Sequence, residues 1–301
     1  MKKPFFSVVI PTYNQSNFLK KALNSLREQS YKNFEIIVID NFSKDKTNKI
    51  IDEFSKKIIY RKIKNYGSIA QSRNAGIKLS KGKWICFLDS DDYWLKDKLK
   101  EILILIKKKK LDVICHSEYV INKEINKRKI WHYGPYVRNF YQTLLKKGNR
   151  FSTSASCVRK KFILQKKIKF EEQKSFITAE DYSFFLHLAF HNANFFFLNK
   201  PMGCRLIHSK SYSKKIIFHL KAVSSVLKYH VFKVQNFNKN KYELWRETEN
   251  NFLIRKNLFA YNYKNSFFKK YIKIFQLFFQ YPKNNLSYFN YLIQKKIRYL
   301  F

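Results

Sequence analysis

Short apolar runs alternate with amphipathic stretches through roughly the first ninety residues. Phe5 to Ile10 (FFSVVI) is apolar, rich in β-branched residues and closed by Pro11, the pattern of a buried parallel strand. Beyond the loop Thr12-Tyr13-Asn14-Gln15, Leu19, Ala22, Leu23 and Leu26 recur at helical spacing, with Ser16 or Asn17 placed to cap the helix. Phe34 to Ile39 (FEIIVI) predicts a second strand ending at Asp40. Ser43 can cap a second helix carrying Ile50, Ile51 and Phe54 on one face. Ile58 to Ile63 is a weaker strand, and Ser68 to Leu79 a third helix stopped by Gly82. Trp84 to Leu88 (WICFL) is a further strand, running into Asp89-Ser90-Asp91-Asp92. This β-α-β-α-β-α-β order predicts an α/β fold with a mainly parallel sheet and right-handed crossovers. Ligands of such sheets sit at the carboxyl ends of the strands. Tyr13, Asp40 and the acids at 89–92 should therefore converge on one crevice.

After Tyr93 the alternation breaks down. Leu99 to Ile106 reads as a helix, ended by the solvated run Lys107–Lys110, and Leu111 to Ser117 as a strand. Residues 118–150 are irregular and aromatic. Ser156 to Val158 suggests a short strand, and Ala179 to Phe190 a helix opening with Glu180 and Asp181. Residues 209–301 read as helical, basic and aromatic, with three acids (Glu243, Glu247, Glu249) against nineteen Lys and Arg.

Composition narrows the class. With 301 residues, 45% of them hydrophobic and 18% aromatic, the chain can bury a substantial core, which excludes global disorder. The formal net charge of +40 has three readings: nucleic-acid binding, attraction to an anionic membrane surface, or AT-rich codon usage in a chain rich in Lys, Asn, Ile, Phe and Tyr with only six Gly and five Pro. Charge governs solubility and non-specific association more than any particular activity, so no specific nucleic acid is expected. Cys86, Cys115, Cys157 and Cys204 are widely spaced and form no CxxC pair; they read as small buried residues rather than a zinc site or disulfide framework. Met1-Lys2-Lys3-Pro4 lacks the apolar core of a signal peptide, and no stretch of 18 apolar residues occurs. A cytoplasmic location follows as the expectation, with contact to the inner face of the cell membrane through the basic C-terminal region.

The acids at 89–92 carry the chemistry. Three carboxylates packed at a strand end repel one another, and a divalent cation would relieve them; carboxylate oxygens suit Mg²⁺ or Mn²⁺. A helix N-terminus, which also favours acids, is the plainer alternative. Tyr13 could stack on a base, and Asp40 and Asn41 could bond a base or ribose, although both positions also suit ordinary turn chemistry. Arg73, beside Asn74, could face a diphosphate or be a surface arginine.

Ser7-Val8-Val9-Ile10-Pro11-Thr12-Tyr13-Asn14, Val38-Ile39-Asp40-Asn41, Arg73-Asn74-Ala75-Gly76 and Phe87-Leu88-Asp89-Ser90-Asp91-Asp92 resemble, in order and spacing, the family 2 glycosyltransferases of GT-A fold. The resemblance is strong over residues 5–95 and looser to about 215. It implies a Rossmann-like, mainly parallel sheet with flanking helices, followed by a helical C-terminal extension. Residues 1–100 would form the nucleotide-sugar-binding half, 101–212 the acceptor-binding half and 213–301 the extension. It implies that Pro11, Thr12, Tyr13, Asn14, Asp40, Asn41, Arg73, Asp89 and Ser90 line the nucleotide-sugar site and that Asp91 ligates the metal bridging the diphosphate. Thr178-Ala179-Glu180-Asp181-Tyr182 resembles the family's Glu-Asp pair, with Asp181 the catalytic base; helix capping by two acids is the alternative. Arg205-Leu206-Ile207-His208 resembles a segment that supplies a further metal or diphosphate contact, here His208. Phe151 to Ala155 matches an acceptor-facing strand. The family often carries a second acid where Asn41 stands, which weakens the expectation of uracil. The implied reaction moves a sugar from a nucleoside-diphosphate donor to a glycan or lipid-linked acceptor with inversion, in cell-surface polysaccharide synthesis. A non-catalytic basic protein binding RNA or anionic lipid is the rival reading. A nucleotidyltransferase would usually show a Gly-rich phosphate loop where Pro11-Thr12-Tyr13-Asn14 stands.

Overall fold

The computed structural model describes residues 3–54, 58–122, 125–208 and 216–264, together with Ile272, Gln276 and Phe279. The predicted alternation is present: β1 (Phe6–Thr12), α1 (Ser16–Arg27), β2 (Phe34–Asp40), α2 (Thr47–Phe54), β3 (Ile58–Lys62), α3 (Ile69–Leu79) and β4 (Trp84–Phe87). β3, β2, β1 and β4 lie side by side in parallel. The chain steps outward from β1 to β3 and then returns to the other side of β1, so the β1–β4 boundary is where the strand order reverses. The carboxyl ends of β1 and β4 flank the crevice that such a reversal opens.

Past β4 the sheet becomes mixed. β5 (Tyr93–Trp94), α4 (Lys98–Lys108), β6 (Val113–Asn122), β7 (Lys127–Trp131), α5 (Phe140–Lys147), β8 (Ser156–Arg159), α6 (Lys160–Gln165), α7 (Glu180–Phe190) and β9 (Phe195–Ile207) follow. The full order is β3-β2-β1-β4-β8-β6-β9-β5, with β7 on β6. β8 is antiparallel to both β4 and β6, which joins the two halves into one continuous sheet. β6 is parallel to β9 through two register shifts around Ser117, which accommodate Pro201.

Several expectations need correction. Residues 118–150 are not irregular throughout: β6 runs on to Asn122, β7 pairs with it and α5 follows. Neither Ser16 nor Asn17 caps α1, and Ser43 does not cap α2. Asp45 does both jobs, its Oδ2 accepting from Ser16 N at 2.8 Å and its Oδ1 from Thr47 N at 3.0 Å. All four cysteines are buried as expected, but Cys86 and Cys157 are partners across the β4–β8 ladder, Cα atoms 4.2 Å apart, and form a disulfide; Cys115 and Cys204 are free. Their separation of 71 residues hid a pairing that only the sheet register creates.

Apolar side chains fill both faces of the sheet, because alternate strand residues point opposite ways. Val8 and Ile10 pack with Leu19, Leu23, Ile50 and Leu99 on one face; Val9 and Phe87 pack with Ile77, Leu144 and Phe184 on the other. Gly76 permits the close seat of α3, since a Cβ there would lie 2.2 Å from Val9 Cγ1. α8 (Ile216–Tyr229) and α9 (Lys241–Lys264) place Ala222, Val226, Leu227, Leu244 and Phe252 in this second core. The described start of the C-terminal region therefore packs on the α/β body. No helix among the described residues is long and apolar enough to cross a membrane.

Candidate active site

Loops at the carboxyl ends of β1, β2 and β4 meet the start of α7. Pro11 and Thr12 are buried in β1, opposite Ile39 and Asp40. Tyr13 is 53% exposed, available to stack on a ring. Asn14, in left-handed conformation (φ 49°), ties its loop to the next: its N–H donates to Ser43 Oγ at 2.9 Å and its Oδ1 accepts from Lys44 N at 2.8 Å. Asp40 is 0% exposed. Its Oδ1 accepts from Ser43 N and Oγ, at 3.0 and 2.5 Å, and its Oδ2 from Tyr60 Oη at 2.7 Å. In this arrangement Asp40 orders the β2 loop from within. Asn41 is half-buried, with Oδ1 accepting from Asn65 N at 3.0 Å.

Arg73 departs furthest from expectation. Sequence reasoning offered a diphosphate contact or a surface arginine; its residue is 3% exposed, sealed between two carboxylates. Nη1 donates to Glu180 Oε1 at 2.7 Å and Nη2 to Asp89 Oδ1 at 2.8 Å, while the guanidinium lies over the Phe170 ring. Burial works against its charged form, but Asp89, Glu180 and Asp181 more than offset this, so the guanidinium stays charged. One side chain thus ties the end of β4 to the first turn of α7.

The acid loop is held from below. Asp89 N donates to Ser154 Oγ at 3.0 Å, and Ser90 Oγ to Gln15 Oε1 at 2.5 Å. The Ser154 carbonyl accepts from Trp94 Nε1 at 2.9 Å and Lys98 Nζ at 2.8 Å. Residues 151–155, expected as a strand, form a buried turn beneath the acids. Asp92 Oδ1 accepts from Leu206 N at 3.0 Å, drawing the end of β9 to this loop. Burial, then Asp91, Glu118 and Asp89, push its carboxyl well above the ordinary range. Burial likewise holds the Lys98 ammonium well below its usual range, though Glu118, Cys115 and Asp92 oppose this.

Asp91 Oδ2 and His208 Nε2 lie 3.0 Å apart, and the His208 ring stacks on Phe18 at 4.6 Å between centroids. Burial, then the Asp89 charge, raises the Asp91 carboxyl, and the His208 hydrogen bond and charge oppose this. No group of three His, Cys, Asp or Glu able to hold a metal occurs among the described residues. The Asp91 carboxylate fits Mg²⁺ or Mn²⁺, ions that keep waters and complete their shells with phosphate oxygens.

Asp181 stands in the first turn of α7, where acids interact well with the helix dipole. Its Oδ1 accepts from Tyr182 N at 2.7 Å and its Oδ2 from Asn149 Nδ2 at 3.3 Å. Burial raises its carboxyl; Arg73 pulls against this, and Asp89 adds to it.

The profile of glycosyl transferase family 2 matches residues 7–168, more than half the chain, including the loops after β1, β2 and β4. The chain belongs to glycosyl transferase family 2. An uncharacterized glycosyltransferase of Haemophilus influenzae is 35% identical over 191 residues, covering 62% of this transferase and 72% of that protein. The amylovoran biosynthesis glycosyltransferase AmsB of Erwinia amylovora is 39% identical over 134 residues, 42% of this chain and under half, 43%, of its own length. Among solved structures, Staphylococcus aureus TarS 1–349 with UDP-GlcNAc superposes with a TM-score of 0.66 at 22% identity, covering 82% of this chain and 72% of that one. The mannosyltransferase PcManGT of Pyrobaculum calidifontis, in complex with GDP-Man and Mn²⁺, superposes with 0.59 at 14% identity, over 100% and 88% of the two chains. These likenesses establish the GT-A fold.

Gln15, Lys98 and Glu118 were missed as parts of this site. Ser154 and Glu180 stood in recognised segments without a role of their own; for Glu180 the signal was there, since Arg73 and Glu180 stand in two of those motifs. Lys98 had none: a lysine opening a helix reads as solvated.

Proposed function

We propose that this glycosyltransferase moves a sugar from a nucleoside-diphosphate donor, UDP foremost, to a hydroxyl of a glycan or lipid-linked acceptor with inversion, in cell-surface polysaccharide synthesis. The observation that carries the reading is the Arg73 bridge, which brings Asp181 into one charged assembly with the β4 acid loop. UDP-GlcNAc and GDP-Man in the solved relatives support the donor class, and amylovoran synthesis by AmsB supports the setting. Tyr13 stacks on the base, with Asn41 at its edge. Asp89 and Ser90 take the ribose side. Asp91 and His208 would hold Mn²⁺ or Mg²⁺, whose charge favours departure of the diphosphate. Asp181 accepts the proton of the acceptor hydroxyl as that oxygen attacks the anomeric carbon and the bond to the diphosphate breaks. A carboxyl raised by burial suits a base working near neutral pH. We place the enzyme in the cytoplasm, peripheral on the inner face of the cell membrane. The expected C-terminal contacts, Lys269, Lys270, Lys273 and the aromatics around them, lie outside the described residues; Ile272 and Phe279 are exposed.

The test is UDP release from UDP-GlcNAc, with and without Mn²⁺. Release should require the cation, stop in EDTA, and fall by about 10²–10⁴-fold in Asp181→Asn while UDP binding persists. Full turnover in EDTA after dialysis would refute metal dependence. Normal turnover by Asp181→Asn would reduce that residue to a helix cap.

A further inference from the structure

We propose that His219, on α8, is a positioning residue that latches the turn from which Asp181 is presented. The inference rests on Asp181 being the base. Four residues, Phe176 to Ala179, lead into α7. Ala179 N donates to Phe176 O at 2.8 Å, closing a tight turn. Ile177 has φ −52° and ψ 126°, and Thr178 has φ +82°. These are the dihedrals of a type II turn, whose third position favours glycine because φ is positive there. A β-branched residue at such an angle is a true outlier, and persists only when its surroundings hold it.

The partner that holds it comes from α8. His219 Nδ1 lies 2.9 Å from Thr178 O and 3.4 Å from Thr178 Oγ1. A carbonyl can only accept, so Nδ1 carries the hydrogen and the tautomer is set. Burial keeps the imidazole below its usual pKa, consistent with a neutral donor. The helix that presents it is firmly seated: Ala222, Val226 and Leu227 are buried, and Tyr229 meets Phe176 edge to face at 5.5 Å. α7 has no side-chain cap of its own at Ala179. The turn is thus fixed by His219 on one side and, one residue past Ala179, by the Glu180–Arg73 pair on the other. α8 lies beyond the part of the chain that matches the family profile, so this latch gives the C-terminal region a part in setting the base.

Purified full-length His219→Phe, His219→Asn and Thr178→Gly/His219→Phe test it. The first readout needs no turnover: amide hydrogen exchange across residues 178–183. His219→Phe should accelerate exchange there and leave β1–β4 unchanged; His219→Asn, whose Nδ2–H can stand in for Nδ1–H, should restore protection. The second readout is UDP release from UDP-GlcNAc with Mn²⁺. His219→Phe should lower kcat about tenfold or more, the usual scale for a misplaced catalytic group, with UDP affinity within about twofold, the mark of an interaction that matters in the transition state. Glycine at 178 adopts the turn without help, so the double variant should recover part of that loss. Unchanged exchange and kcat in His219→Phe would overturn the proposal, as would equal losses in the Phe and Asn variants. Asp181→Asn run alongside separates the two readings: if it is inactive while His219→Phe is normal, only the latch fails; if it turns over normally, the base assignment fails.

Discussion

Arg73→Met tests the buried bridge most directly. Methionine keeps much of the length of the stem and removes the guanidinium that lies over Phe170. The two arms should not cost the same. The Asp89 side chain is 31% exposed, so its arm behaves like a surface pair worth about 0.5–1 kcal/mol. The Glu180 side chain is 7% exposed and would be left buried without a counter-charge. Breaking such a pair costs about 3–5 kcal/mol. Protonation caps that cost: an unfolded Glu titrates about 2.7 units below pH 7, and each unit is worth about 1.4 kcal/mol, so neutralising Glu180 at pH 7 costs at most about 3.7 kcal/mol. The expected loss at pH 7 is therefore roughly 4 kcal/mol. The sign with pH follows. In the variant the folded-state Glu180 pKa rises further above its unfolded value, so stability is regained as pH falls toward the unfolded pKa. At pH 5 the cap shrinks to about 1 kcal/mol and the total loss to about 1–2 kcal/mol. Urea unfolding followed by tryptophan fluorescence would measure this, since Trp84 and Trp94 are buried. Arg73→Met/Glu180→Gln should be less destabilised than the single variant at pH 7 and largely insensitive to pH. A loss under about 1 kcal/mol at pH 7, or one unchanged between pH 7 and pH 5, would refute the reasoning.

Two further outcomes follow. Burial raises the Asp181 carboxyl and the base works only when ionised, so kcat should fall as pH drops through a midpoint above the ordinary carboxylate range; a limb at the free Asp value would remove burial as the controlling cause. Full-length protein should co-sediment with anionic vesicles and not neutral ones, and a version truncated after residue 264, shown folded by circular dichroism, should bind less; equal binding by both would take the membrane contact away from residues 265–301.

The parallel half was legible because each strand there is a run of β-branched and apolar residues between helices of clear period. The second half lost that signal for physical reasons. β6 was ended at Ser117 because Glu118 is charged, yet Glu118 is buried, its Oε2 accepting from Tyr133 Oη at 2.8 Å. β7 is Lys-Arg-Lys-Ile-Trp on a sheet edge, where charge replaces apolar alternation. β9 contains Asn199, Lys200, Pro201 and Gly203, residues poor in strand signal, and pairs with β6 only through the register shifts beside Ser117. In the site, motif order picked out the loops that the sheet brings together after β1, β2 and β4. It could not say which way Arg73 would turn, because that depends on Glu180, 107 residues further on.

The insertion of β8 between β4 and β6 has a consequence for biosynthesis. A ribosome delivers β1 through β4 first, and these four strands can pair at once. One side of β4 then stays open, with Trp84, Ile85, Cys86 and Phe87 along it, until Ser156–Arg159 emerges. The 68 residues between the two strands take roughly 3–14 s at about 5–20 residues per second. For that interval the nascent chain carries an apolar, unpaired strand, the kind of template on which neighbouring chains join. The parallel half is therefore the half most in need of shielding while the rest is made.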